Sequence, residues 1–131
     1  MVRVGILITI ALGGAIGTLA RYGLSQWLAA SSPRTFPVAT LAANLIGCLL
    51  IGFCYVWLDS RGTQLFRDFV RIGFLGGLTT FSSYCIESVS LMEKKQYGLA
   101  AANLVGSVVG GLAAAAVGIV LAKLIFRSEG G

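Results

Sequence analysis

Histidine is absent from the 131 residues, and with ten basic and five acidic side chains only 11% of the chain is charged. Without histidine or clustered carboxylates, a transition-metal site or histidine-based acid–base catalysis has nothing to build on. Three cysteines, Cys48, Cys54 and Cys85, all lie in apolar stretches. An odd number without paired spacing is no disulfide framework, and small polarisable packing residues is the plain reading. An average soluble domain is about 25% charged, so more than half of the usual polar covering is missing. The basic residues that give the net charge of +5 are scattered, which argues for anchors at phospholipid headgroups and against nucleic-acid binding. Nothing suggests a reaction, and the expectation is a non-enzyme.

What is present is apolar: 56% of the residues are hydrophobic and the mean hydropathy is +0.87. Disorder needs low hydrophobicity and high charge, and a single soluble domain of this length could not hide so much apolar surface. The solvent for most of the chain is lipid. Charges divide it into four runs, and about 20 residues are enough to cross the hydrocarbon layer as a helix. Without water, backbone groups must pair within the segment, and none of the runs alternates as barrel strands do. The expectation is an all-α membrane protein with a single domain spanning residues 1–131. Its transmembrane helices are placed near 4–31, 37–58, 68–94 and 97–125, the third broken near 76–80. The first run continues past Arg21 without a convincing cleavage site, so it is read as a mature helix and not a signal peptide.

Eighteen glycines include three pairs at small-xxx-small spacing: Gly13 with Gly17, Gly73 with Gly77, and Gly106 with Gly110. Such pairs let helix backbones approach closely. Four thin helices packed in this way leave no room for a pore within one chain, so a conduit would run between subunits. With four spans both termini share one side, which carries Arg3, Arg61, Arg67, Arg71, Lys123 and Arg127. The other side carries Arg34, Lys94 and Lys95, with Arg21 near it. So slight a bias leans towards cytoplasmic termini and is compatible with insertion in both orientations.

The third run holds the strongest local anomaly, Gly76-Gly77-Leu78-Thr79-Thr80-Phe81-Ser82-Ser83-Tyr84. Two glycines and four hydroxyl residues make a poor helix in any medium. A broken helix in a bilayer is tolerated where protein buries it or where it lines a wet cavity, and freed carbonyls there coordinate small ions. A glycine kink with hydroxyls bonded back into their own helix is the alternative. Glu87 is the one acid within a span, either functional or interfacial. Arg21 is either a snorkelling interfacial residue or an electropositive mouth. Thr40 and Asn44 share a helix face, as do Asn103 and Ser107. They serve as interhelical glue or as uncharged donors that replace the hydration shell of an anion. Phe81 and Tyr84, three residues apart, present polarised ring edges or simply pack.

The chain resembles the Fluc (CrcB) family of fluoride channels from Gly13 to about Gly118. The resemblance rests on Gly17 and Arg21, on Asn44, and on the string Gly73-Phe74-Leu75-Gly76-Gly77-Leu78-Thr79-Thr80-Phe81-Ser82-Ser83. It implies a dual-topology homodimer of two antiparallel copies in the bacterial inner (cytoplasmic) membrane. Two fluoride pores would follow the subunit interface, with a structural sodium ion at the centre held by the backbone carbonyls of Gly76 and Thr79 from each chain. It further implies that Asn44 and Phe81 line the pore and that Arg21 lies in the vestibule. Ser82, Ser83, Asn103 and Ser107 would form a hydroxyl track, and Glu87 would be the acid after the aromatic pair. Three positions depart from the family pattern. Tyr84 stands where relatives have a second phenylalanine and adds a hydroxyl able to donate to fluoride; Asn103 stands where relatives often have tyrosine; Gly111 replaces a serine that some relatives have. The expected function is passive export of fluoride, which protects the cell. A small proton-coupled multidrug exporter is the alternative, although such proteins need a carboxylate that the first span lacks.

Overall fold

The structure, a computed structural model, describes residues 4–30 and 35–127, apart from the side chains of Ser60, Arg61 and Arg127. Arg3, Arg34 and Ser31, which entered the charge count and the first helix boundary, lie outside the described residues. Six α-helices follow one another: α1 Val4–Ala29, α2 Val38–Arg61, α3 Gln64–Asp68, α4 Leu75–Leu78, α5 Phe81–Glu93 and α6 Tyr97–Arg127. Between α3 and α4 runs a π-helical turn, Phe69–Phe74. Four stretches are long and apolar enough to cross a membrane: Val4–Ala29, Val38–Asp59, Gln64–Glu93 and Tyr97–Phe126. The third therefore begins earlier than the charge pattern placed it, because Thr63 caps α3 by accepting from the Phe66 N–H and the helix runs through the interfacial Arg67 and Asp68.

Glycine determines which helices touch. A Cβ on Gly13 would lie 2.6 Å from Phe69 O and 3.1 Å from Gly73 Cα, and one on Gly73 would lie 2.7 Å from Ile10 O. The two stripes read from the sequence in α1 and the third span thus face each other, backbone against backbone. Where lipid removes the hydrophobic incentive, this close approach recovers dispersion energy. The third stripe behaves differently. A Cβ on Gly106 would meet nothing, and one on Gly110 only the end of Leu45. The intimate α2–α6 contact is made by Gly52 against Ala115 O and by Gly118 against Leu49 O.

The resulting core is thin. Ala43, Leu58, Leu75, Leu78, Tyr84, Leu91, Ala100 and Ala122 are its buried apolar residues, with Ser88 and Asn103 among them. A tight turn joins α5 to α6. Gln96 N–H donates to Leu91 O and Lys95 N–H to Met92 O, a Schellman pattern in which Lys95 takes the left-handed position at φ 59°.

Candidate functional site

The continuous helix of the third span stops at Leu78. Thr79 (φ −86°, ψ 154°) and Thr80 (φ −149°, ψ 118°) are extended, and α5 restarts at Phe81 with Thr80 as its N-cap, the hydroxyl accepting from Ser83 N–H at 3.2 Å. Extended residues inside a span leave backbone groups without helical partners, and in lipid these must be paired by protein. Thr79 N–H keeps its helical acceptor, Leu75 O, and one side chain pairs the groups of Thr80. Asn44 Oδ1 accepts from Thr80 N–H at 2.8 Å while Asn44 Nδ2 donates to Thr80 O at 3.0 Å. The amide of α2 takes both ends of the Thr80 backbone, as a neighbouring strand would. Thr80 N–H is the donor that a continuing helix would give to Gly76 O, so the interruption leaves that carbonyl without it.

Other bonds brace the same region. Thr79 Oγ1 donates to Leu75 O at 2.9 Å. Arg21 Nε donates to Gly77 O at 3.2 Å, so this guanidinium from α1 caps the carbonyl end of α4, where a cation also suits the helix dipole. One turn before Asn44, Thr40 Oγ1 donates to Glu87 Oε1 at 2.6 Å. Thr40 and Asn44 thus share a face, as their spacing predicts, and both look across at α5.

A groove of about 370 Å³ opens along this face. Six residues singled out in the sequence line it: Asn44, Gly76, Thr79, Phe81, Tyr84 and Ser107, with Gly47, Cys48, Ile51, Arg71, Leu75, Thr80 and Val108 between them. The Phe81 and Tyr84 rings lie 5.5 Å apart at 40°, but their surroundings differ. Phe81 is 75% exposed and Tyr84 only 7%, with the Tyr84 hydroxyl directed to Leu104 O at 3.4 Å. Gly76 and Ser82 are also exposed.

Several expected residues sit elsewhere. Glu87 lines a second cavity of about 330 Å³ together with Thr35, Phe36, Ser90 and Lys94. Asn103 is fully buried and its Nδ2 donates to Ser88 Oγ at 2.9 Å, while that hydroxyl donates to Tyr84 O at 2.8 Å. The Ser88 proton is used on Tyr84, so Ser88 must accept from Asn103, which fixes which way the amide faces. Asn103 Oδ1 and Ser107 Oγ remain buried without a partner. Ser82, Ser83, Asn103, Thr40 and Arg21 are therefore not brought to the groove wall. Among the described residues no group of three or more His, Cys, Asp or Glu could hold a metal. The oxygen donors on the groove wall are backbone carbonyls, hydroxyls and the amide.

This architecture has a sequence counterpart. A family model described as "CrcB-like protein, Camphor Resistance (CrcB)" matches residues 8–119. The chain belongs to the CrcB family. Its relatives include a protein of Stutzerimonas stutzeri named "Fluoride-specific ion channel FluC", 48% identical over 117 residues that cover 88% of this chain and 94% of that one. Another of the same name, from Azotobacter vinelandii, is 44% identical over 92% of this chain and 99% of its own length. A more distant one, from Parabacteroides distasonis, is 39% identical over 95% and 96%. With its four apolar spans, this CrcB chain is a multi-pass membrane protein.

Three contributors escaped the sequence reading. Thr80 is one of two adjacent threonines, and nothing in the string marks it as the residue whose backbone is clamped. Arg71 entered only as an interfacial charge. Ser88 lies one turn after Tyr84 on the buried face of α5, a periodicity that flags burial but not its partner. Ser88→Ala should cost this CrcB protein about 1–3 kcal/mol by stranding the buried Asn103 amide. Pairing it with Asn103→Leu should restore much of the loss. Thermal unfolding in detergent micelles checks both.

Proposed function

We propose that the protein is a fluoride-selective channel that lets the ion leave the cell passively, without catalysing a reaction. The observation that carries this reading is the Asn44 clamp on extended Thr80 beside a groove of uncharged donors, in a chain whose relatives bear the fluoride-channel name. A small anion entering protein must replace its hydration shell with donors that hold it without a full opposite charge. Asn44 Nδ2 has a second proton beyond the one given to Thr80, the Ser107 hydroxyl has no partner, and the Phe81 and Tyr84 edges are electropositive.

Phe81 stands exposed on the groove wall, and lipid tails there could not satisfy Asn44, Thr79 or Ser107. A second copy closing it, antiparallel to the first in a bacterial cytoplasmic membrane, answers that need and covers Phe81. A sodium ion at the centre of such a homodimer suits the carbonyls of Gly76 and Thr79. Oxygen donors match a hard cation, Gly76 is exposed on the groove wall, and Thr80 N–H is turned from Gly76 O to Asn44. The bound cation would supply positive charge near the anion path. Arg21, tied to Gly77 O, would support the helix end that presents these carbonyls.

Purified protein in liposomes should release fluoride far faster than chloride, with no need for a pH gradient. Equal rates for the two anions would remove the selectivity claim. A flux that required a proton gradient and vanished in Glu87→Gln would favour the proton-coupled exporter instead.

A further inference from the structure

Arg71 lines the groove, bonded to α2 beyond Ile51 at Tyr55 and Asp59, and its surroundings are unusual for an arginine that only anchors a helix. Its Nη2 donates to Tyr55 O at 3.1 Å and to Asp59 Oδ1 at 2.9 Å, and the guanidinium lies 5.6 Å from the centre of the Tyr55 ring. Its Nε–H is buried with no acceptor. Buried donors are nearly always paired, so part of the donor capacity of this guanidinium on the groove wall is unused by the protein.

The backbone contributes to this placement. Arg71 lies within the π turn Phe69–Phe74, where Leu75 N–H reaches back five residues to Val70 O. A π turn inserts a residue into the helical repeat, and such turns cluster at functional sites. Here Gly73 keeps its contact with α1 while Arg71 and Leu75 line the groove. The ion pair is unequal. The Asp59 side chain is 53% exposed and that of Arg71 28%, so water competes for the carboxylate, and exposed pairs of this kind hold weakly.

We infer that Arg71 is an anion-recruiting residue at the mouth of the groove, and that Asp59 is the counter-ion which limits its pull. This rests on the anion-channel reading above. Tyr55 lies 11 residues along α2 from Asn44, which is about 16 Å of helix rise. Between the two ends stand Ile51, Cys48 and Leu75. The guanidinium is near enough to concentrate a halide-sized anion at the entrance and too far from the uncharged donors to trap it there.

The test measures the initial rate of fluoride release from proteoliposomes for the parent, Arg71→Gln, Arg71→Lys and Asp59→Asn. Removing the recruiting charge should slow release about tenfold, the lower end of what electrostatic focusing does to an encounter rate. Arg71→Lys should retain most of the parent rate, and Asp59→Asn should raise it severalfold. Adding an impermeant salt should narrow the gap between the parent and Arg71→Gln. If the pair is only a staple between α2 and the third span, Asp59→Asn will slow release or leave it unchanged, and the inference fails. Should Arg71→Gln fold poorly, the opposite directions expected of Asp59→Asn and Arg71→Gln reduce to the Asp59→Asn and Arg71→Lys results, which decide by themselves. A phosphate-headgroup anchor is distinguished by rates that change with anionic-lipid content and not with the impermeant salt, and that result also overturns the inference. A parent that released no fluoride would refute the channel reading itself. A conducting parent blocked by Asn44→Ala but indifferent to both partners of the pair would refute only the role given to Arg71.

Discussion

Asn44→Ala should abolish most fluoride release while leaving a protein that can be purified. The substitution removes both partners of the Thr80 backbone, and each stranded group costs about 1–3 kcal/mol. The two together total about 2–6 kcal/mol, and each 1.4 kcal/mol is a tenfold change in a population, so release should fall at least about thirtyfold. Two variants separate the clamp from a general loss of packing. Asn44→Asp keeps an acceptor for Thr80 N–H but has no donor for Thr80 O, and it places negative charge beside the anion path. It should conduct no better than the alanine variant. Thr80→Ser keeps the backbone and a hydroxyl for the α5 cap, so it should conduct close to the parent. Unchanged release from Asn44→Ala, measured with a fluoride electrode, would detach the clamp from conduction.

The second large effect lies away from the groove. A Cβ on Gly17 would overlap Phe74 O and would lie 2.9 Å from Phe74 C and 3.0 Å from Leu78 N. Every one of these atoms is backbone, so no side chain can swing aside. Gly17→Ala should therefore force α1 off the third span at a cost of about 3 kcal/mol, the upper part of the usual overpacking range. Because α1 also carries Arg21, whose Nε meets Gly77 O, release should fall along with stability. Gly5→Ala is the control. A Cβ there meets nothing, and the change should be neutral or gain a few tenths of a kcal/mol from helix propensity. Thermal unfolding that treats the two glycines alike would contradict the close contact between α1 and the third span.

How far each feature was legible depends on whether neighbours in sequence or neighbours in space decide it. The four spans follow from uncharged runs bracketed by charge, because the cost of a charge in hydrocarbon acts on each segment separately. The stripes Gly13–Gly17 and Gly73–Gly77 were each legible for a similar reason, since a row of small residues marks where a backbone can approach, although only the structure shows that they meet. That same rule pointed to Gly106 and Gly110, yet Gly52 and Gly118 make the close contact. Spacing identifies a face of α6 and cannot say which face α2 meets.

Composition and order alone determined that lipid is the solvent, that helices cross it four times, and that glycines and hydroxyls weaken the helix in the third; the extended stretch itself is confined to Thr79 and Thr80. Tertiary structure decided the pairings: Asn44 with Thr80, 36 residues away, Thr40 with Glu87, Asn103 with Ser88 inside the core and off the groove wall, and Arg71 with Asp59. Periodicity determines the direction in which a side chain leaves its own helix. The partner it meets depends on the offset and rotation of a second helix, which here are set by glycine contacts and a π turn.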